Sequence, residues 1–422
     1  MTIGIVGDMN PDHVVVVGAG MVGLSTAYFL QERGVRVTVV DREGVAAGSS
    51  WGNAGWLSPA LTLPLPEPAI LAYGLSAMIK PSAPLYIPLT MNLPLIRFLA
   101  GFARHCTPAK WRSAMAVYAE VNRLSVAAFD ELTNGAVVEP THLAEPFLAG
   151  FSSARDRDGL IREFDAVTRY GAAVDYDLVD GDELRSIEPT LGAGVTVGVK
   201  LRGQHFINPP RFVESLADAV RTRGGEIISG FDVTDVHDHG ASGVEVVPVS
   251  SEPLTADAVV LATGTWLGDL ARAFGVHQLV QAGRGYSFSV IPETMPTHPI
   301  YFPAERVACT PLGDRFRVSG MMEFRPAATP LDPRRITAVI NAARPMFTGI
   351  NWECRQEEWV GSRPCTADGL PLIGATRSPR VHVAGGHGMW GITLGPLTGK
   401  YLAASMTGGD VPAVMHHFDP LR

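Results

Sequence analysis

The chain has 422 residues, 46% hydrophobic and 18% charged, with 45 glycines, 32 prolines and 4 cysteines; this excludes a disordered chain, a fibrous repeat and a disulfide-stapled miniprotein. At roughly 100 to 200 residues per domain the length predicts two or three domains, or one elaborate domain with a second inserted into it. Thirty-four Lys and Arg against 42 Asp and Glu leave a formal net charge of −8, which gives no global electrostatic case for nucleic acid or an anionic membrane and fits a small-molecule enzyme.

In chain order, Met1–Asp8 carries neither a basic n-region nor a sustained apolar stretch, so it reads as no secretory signal and places the protein in the cytoplasm. Val14 to Val17 is a β-branched run suited to a strand buried on both faces, and Gly18-x-Gly20-x-x-Gly23 follows at once. The pattern is then helical from Met21 to Arg33, Gly34 caps the helix, and Val35 to Val40 is a second strand ending at Asp41. This βαβ unit meets the demands of a dinucleotide. Gly18 permits the tight turn, Gly20 lets backbone approach a pyrophosphate, and Gly23 lets helix and strand pack closely. The helix start, with Ala19, Met21 and Val22 around it, presents unpaired N–H groups and a positive dipole end. Asp41, with Arg42 beside it, stands where a carboxylate accepts hydrogen bonds from adenosine ribose hydroxyls, and it disfavours the 2′-phosphate of NADP.

The next loop discriminates between dinucleotides. Gly48-Ser49-Ser50-Trp51-Gly52-Asn53-Ala54-Gly55 is rich in glycine and small hydroxyls, which suits a loop laid along an extended diphosphate and ribityl chain, and so FAD. Leu57 to His105 is apolar, with Glu67, Lys80, Arg97 and Arg104 its few charges, and prolines at 59, 64, 66, 68, 81, 84, 88 and 94. Those prolines break any spanning helix, which needs about 20 apolar residues in a row. The expectation is a Pro-rich excursion followed by short helices packed on the body; peripheral contact with the inner face of a membrane through 57–105 is the alternative.

Further on, Asn208-Pro-Pro starts a helix that runs to Arg223 and stops at Gly224-Gly225. Glu226–Ser229 and Phe231–His237 read as strands, with Val233 in the second. A buried strand from Asp257 ends in the Gly turn at Thr263-Gly264-Thr265-Trp266. Strand-like alternation such as Arg315 to Gly320 marks the region from 279 to 348. Cys106, Cys309, Cys354 and Cys365 are scattered without a C-x-x-C spacing, so no metal site is expected and the thiols read as structural. No Ser-His-Asp elbow, Walker A sequence or H-E-x-x-H is present.

The ending Leu261-Ala-Thr-Gly-Thr-Trp resembles the ATG motif of FAD-dependent flavoproteins. Gly361-Ser-Arg-Pro-Cys-Thr-Ala-Asp-Gly-Leu-Pro-Leu-Ile-Gly precedes Val381-His-Val-Ala-Gly-Gly-His-Gly-Met-Trp-Gly-Ile-Thr-Leu-Gly-Pro. With the Asn53-Ala-Gly loop and Gly285-Tyr-Ser, these blocks resemble the D-amino acid oxidase superfamily, nearest to bacterial D-amino acid dehydrogenases of the small-subunit type, with glycine and sarcosine oxidases as cousins. The resemblance implies an α/β fold in which a Rossmann-like FAD-binding domain (1–60, 154–278 and 352–422) is interleaved with a smaller β-sheet-based substrate domain (138–153 and 279–351), residues 61–137 being the excursion. It implies oxidative deamination of a D-amino acid by hydride transfer from Cα to flavin, with oxygen, a quinone or a protein as electron acceptor. Oxidation of a secondary amine such as sarcosine, glycine or a D-proline derivative is one alternative, and a structural or electron-relay subunit is another.

For such chemistry a bidentate, always charged donor must anchor the carboxylate. Arg363 matches the family's Gly-Leu-Arg-Pro arginine, although Ser362 replaces the leucine; a structural arginine paired with Glu357, Glu358 or Asp368 is the alternative. Tyr286 is expected at flavin or substrate, or else in the core. Tyr301, Arg317 and Glu323 are weaker candidates on the presumed substrate-domain strands. His387 is placed at the isoalloxazine edge, or else it satisfies local backbone groups; Met389 and Trp390 follow where glycine oxidase carries an arginine, so a second carboxylate contact from there is absent. Gly386, Gly388, Gly391, Ile392 and Thr393 lead into a last helix whose positive end faces the flavin carbonyl edge, where charge accumulates on reduction. With Trp51 and Asn53 in the early loop there is no attachment point there, and the FAD is expected to be non-covalent.

Overall fold

A computed structural model describes residues 10–69, 85–88 and 92–422. The N-terminal segment 1–9, with Lys80, Pro81 and Pro84 of the Pro-rich stretch, lies outside the described residues.

The β-branched run becomes the strand His13–Val17, central in a six-stranded sheet. Its neighbours Arg36–Asp41 and Ala258–Leu261 pair parallel to it, Glu226–Ser229 and Val381–Gly385 extend the parallel array on either side, and Leu372–Ala375 closes one edge antiparallel. Alternation across the pleat sends Val14 and Val16 into a core with the helices Met21–Glu32, Pro209–Thr222 and Gly391–Met406. It sends Val15 and Val17 against the three-stranded sheet Val233–Asp238, Val244–Pro248 and Leu254–Ala256. Both faces are therefore covered, as an apolar run without polar alternation requires. The first helix stops where expected, with Gly34 at φ +80°. Pro209 opens its helix as expected, yet the Asn208 side chain makes no capping hydrogen bond.

A second, nine-stranded sheet runs in the order Gln356–Thr366, Val280–Val290, Arg315–Phe324, Val307–Leu312, Ile300–Phe302, Phe147–Phe151, Val197–Leu201 and Tyr176–Asp180, with Leu85–Tyr86 pairing beside Arg315–Phe324. This differs from the expected division of the chain. Tyr176–Asp180, Val197–Leu201 and Gln356–Thr366, assigned from sequence to the FAD-binding part, are strands of this second sheet. Val197–Leu201 pairs antiparallel with Phe147–Phe151, and Gln356–Thr366 with Val280–Val290. The helix Ala154–Arg169 buries Leu160 and Phe164 on the same sheet. A strand's own residues state that it is a strand; its partner is set by pairing between distant segments.

Within the stretch after Leu57, the described residues that form a helix pack on the body. The helix Leu93–His105 buries Leu95, Phe98 and Phe102 against Met322, Phe324 and Cys365, and exposes Leu93 and Ile96. Among the described residues no helix is long and apolar enough to cross a membrane.

Candidate active site

A cavity of about 1140 Å³ runs from the C-terminal ends of the parallel strands to the face of the nine-stranded sheet, the position in which open α/β sheets hold ligands. At its first end Gly18 turns at φ +116°, and a Cβ there would lie 2.5 Å from the Ala262 carbonyl oxygen. A Cβ on Gly23 would come within 1.9 Å of the Gly18 oxygen, so Gly23 serves helix–strand packing behind the wall. Gly18, Gly20, Met21, Val22, Asp41 and Arg42 line the cavity, whereas Ala19, Gly23, Gly55 and Gly386 do not. Ala19 is buried in the core with its N–H on Asp41 Oδ2 at 2.9 Å. Gly55 is pressed against the Ile207 carbonyl, and Gly386 against Thr366 and Leu372.

The Asp41 carboxylate is engaged within its own turn. Its other oxygen, Oδ1, accepts the N–H groups of Glu43 and Gly44 at 2.8 and 2.9 Å, so the carboxylate also shapes the turn. Arg42 stacks on the Trp266 ring at 3.6 Å from its centroid, joining two residues named separately from sequence into one cation–π wall. The Met21 N–H donates to Ser50 Oγ at 3.1 Å. Ser49, Ser50, Asn53, Ala54, Val233, Thr263 and Gly264 complete this end.

These residues fit FAD on two structural grounds. Among the described residues, the Thr263 hydroxyl on the wall and the neighbouring Thr265 hydroxyl are buried without a hydrogen-bond partner, a cost that polar ligand atoms offset. The helix Gly391–Met406 opens with no side-chain cap and no acidic residue in its first turn, and Gly391, Ile392 and Thr393 lie on the cavity wall with Gly388. Its free N–H groups and dipole suit the electron-rich carbonyl edge of a flavin.

At the second end, Arg363 projects from Gln356–Thr366 over Gly285. A Cβ on Gly285 would lie 2.3 Å from Arg363 Nη2, so the guanidinium occupies the space that a side chain would fill. Nη1 donates to the Met321 carbonyl at 2.7 Å, and Met321 presents that oxygen from a left-handed backbone, φ +68°, at an irregularity in the strand pairing. The structural alternative for Arg363 fails, because its three proposed partners are engaged elsewhere. Glu357 holds Arg315 and Arg317, Glu358 holds Arg355, and Asp368 holds Arg422. Among the described residues no carboxylate pairs with Arg363, and burial holds its pKa below the ordinary value.

The other candidates divide. The Tyr286 ring is on the wall, but its hydroxyl donates to buried Glu323 Oε2 at 2.6 Å, and Glu323 is also ion-paired with Arg284, Arg325 and Arg335. The Tyr286 hydroxyl therefore has no proton left to donate to substrate, and burial pushes its phenol upward. Glu323 and Arg317 do not line the cavity; Arg317 is held by Glu357 and lies over the Trp51 ring. His387 lines the cavity, with Nε2 2.9 Å from Thr398 Oγ1. Burial pulls its pKa down to about 4, so the ring is neutral at pH 7.

Tyr301 lines the cavity edge-on to Trp56 at 5.3 Å. Around it stand Arg306, Glu163 and Glu67, a polar group that sequence reasoning missed. Burial, aided by the Glu67 charge, pushes the Glu163 carboxyl up to about 7 against the opposing pull of Arg306 and Arg162. Trp359 was missed as well. Its ring fills the space above Gly52 and Gly361, where a Cβ would lie 2.1 and 1.8 Å from ring atoms. The Ser362 backbone carbonyl accepts the Ser49 hydroxyl and ties the arginine strand to the Ser-rich loop, a contact that does not depend on the side chain at 362.

The chain is similar to known proteins along most of its length. The family described as FAD dependent oxidoreductase (DAO) matches residues 13–405. A D-amino acid dehydrogenase of Cereibacter sphaeroides is 31% identical over 414 residues, covering 94% of this chain and 92% of its own. Another from Agrobacterium fabrum is 28% identical over 422 residues, covering 96% and 98%. Among solved structures, glycine oxidase from Geobacillus kaustophilus superimposes with a TM-score of 0.74 at 20% identity over 98% of both chains, which supports the shared fold.

Proposed function

This chain belongs to the DAO family of FAD-dependent oxidoreductases, and from that premise we propose that it oxidises D-amino acids, with Arg363 holding the substrate carboxylate. The observation that carries the reading is a guanidinium beside the cavity with no carboxylate partner among the described residues. A charge in that position calls for a counter-charge, and a substrate carboxylate provides it with two parallel hydrogen bonds.

When bound, FAD supplies the two-electron acceptor. The chain's own residues must then orient the substrate. Gly285 gives the guanidinium its bed, and the Met321 carbonyl fixes one nitrogen, leaving the remaining N–H groups for the carboxylate. Anchoring at one end restricts Cα to a small region of the cavity, the main contribution of a positioning site. Buried His387 is neutral at pH 7 and adds no positive charge that would repel the substrate amine. The uncapped start of Gly391–Met406, on the cavity wall, would stabilise negative charge on a reduced flavin held against it. Trp56, Tyr301 and Trp359 wall the cavity and reduce the access of water. The reaction needs an electron acceptor to complete turnover.

Anaerobic addition of a panel of D-amino acids is expected to bleach the flavin absorbance of the purified protein; a complete panel without bleaching would overturn the proposal. N-methyl and cyclic amino acids in the same assay distinguish secondary amines, whose carboxylate would use the same Arg363 contact. Arg363→Ala is expected to raise KM at least 100-fold with the flavin still bound, and unchanged kinetics would contradict the anchoring role.

A further inference from the structure

The hairpin formed by Val233–Asp238 and Val244–Pro248 carries two histidines and a glutamate off the cavity wall. We propose that His237, His239 and Glu245 form a surface site for a divalent zinc ion, with Asp235 orienting His237. His237 pairs in register with Glu245 on the opposite strand. The chain then turns through Gly240–Ser242, and the His239 N–H donates to the Gly243 carbonyl at 2.9 Å, with Gly243 at φ +93°. That turn folds His239 back to the same carboxylate.

The distances suit tetrahedral coordination. One ligand atom from each of the three residues lies within 4.8 Å of the others. His237 Nδ1 is 3.2 Å and His239 Nε2 3.5 Å from Glu245 Oε2. With Zn–N and Zn–O bonds of about 2.0–2.1 Å, ligand atoms at the corners of a tetrahedron stand about 3.4 Å apart. The two measured edges bracket that value. The second shell is present too, because the remaining His237 nitrogen, Nε2, is 3.2 Å from Asp235 Oδ2. A carboxylate accepting from the far side of a ligating imidazole is the usual device for fixing its tautomer and orientation.

Two imidazoles and one carboxylate make a borderline-soft donor set suited to zinc, and three protein ligands leave a fourth position for water. The residues are accessible, with side-chain exposures of 48% for His237, 51% for His239 and 31% for Glu245. A simple surface ion pair would not require both imidazoles to converge on one oxygen, and it would contribute little. The same strand begins at Val233, which lines the cofactor cavity, so a bound ion would brace the hairpin that supplies part of that wall.

The test is calorimetric titration of the intact holoenzyme with Zn²⁺, with crystals measured at the zinc absorption edge. One ion per chain is expected, located between His237, His239 and Glu245. His239→Ala and Glu245→Gln should weaken binding at least tenfold, and Asp235→Asn by about 10- to 100-fold. Flavin absorbance and circular dichroism should remain those of the parent, since the altered side chains lie on the surface. No stoichiometric binding, or undiminished binding in a His237→Ala/His239→Ala double variant, would overturn the proposal.

Discussion

Gly285 shows how a residue without a side chain controls the chemistry. The space above its Cα is filled by Arg363 Nη2 and Cζ, at 2.3 and 2.4 Å from where a Cβ would stand. Gly285→Ala therefore has to displace the guanidinium from the Met321 carbonyl. The expected outcome is a KM at least tenfold higher for the best substrate, with an unchanged flavin spectrum, measured by steady-state kinetics. Glu163 makes a different prediction. Its carboxyl is raised to about 7 in the folded protein, so between its ordinary value and 7 the native state binds more protons than the unfolded chain. Stability from this group is complete at acid pH and is lost as pH rises towards 7. Thermal unfolding from pH 5 to pH 8 should show a steeper fall in Tm for the parent than for Glu163→Gln; parallel curves would contradict the shift. Gly285 belongs to the Gly-Tyr-Ser block, yet nothing local indicates that an arginine from another strand covers it. Glu163 lies on the helix Ala154–Arg169, and its surroundings arise only where that helix meets the Tyr301 strand.

Among the elements, the helices Met21–Glu32 and Gly391–Met406, two of the three packed on the FAD-binding sheet, depend on close approach. A Cβ at Gly399 would lie 2.5 Å from the Ser25 carbonyl carbon, and one at Gly395 2.6 Å from Met21 Cγ. The Gly399 contact is with backbone and cannot be relieved by a side-chain rotation. Gly399→Ala should therefore cost roughly 1–3 kcal/mol of stability and loosen the helix start facing the cofactor, read as a lower urea midpoint and easier FAD release. The helices Met21–Glu32 and Pro209–Thr222 and the strand His13–Val17 were visible in the sequence, because period and end signals are local. The positions of Tyr176–Asp180, Val197–Leu201 and Gln356–Thr366 were not. Sheet membership depends on a partner far along the chain, such as Val280–Val290 for Gln356–Thr366.

For the molecule as a whole, the cavity joins the six-stranded and nine-stranded sheets, with Gly18 and Asp41 at one end and Arg363 and Tyr301 at the other. A cofactor spanning it stabilises the native state by mass action, since the unfolded chain has no such site. Removing FAD is expected to lower Tm, and returning it should restore Tm progressively with concentration; a Tm independent of FAD would contradict the placement. The sequence by itself determined the dinucleotide turn, the two β-branched strands around it and the glycine-rich loop that follows, because each depends on residue type and short spacing; Arg363 stood out only through the family resemblance. Tertiary structure decided that Arg363 has no carboxylate partner among the described residues, that the Tyr286 hydroxyl is taken by Glu323, and that Glu163, Glu67 and Arg306 share a wall with Tyr301. Those outcomes depend on which distant segments meet, and local pattern carries no information about distance between segments.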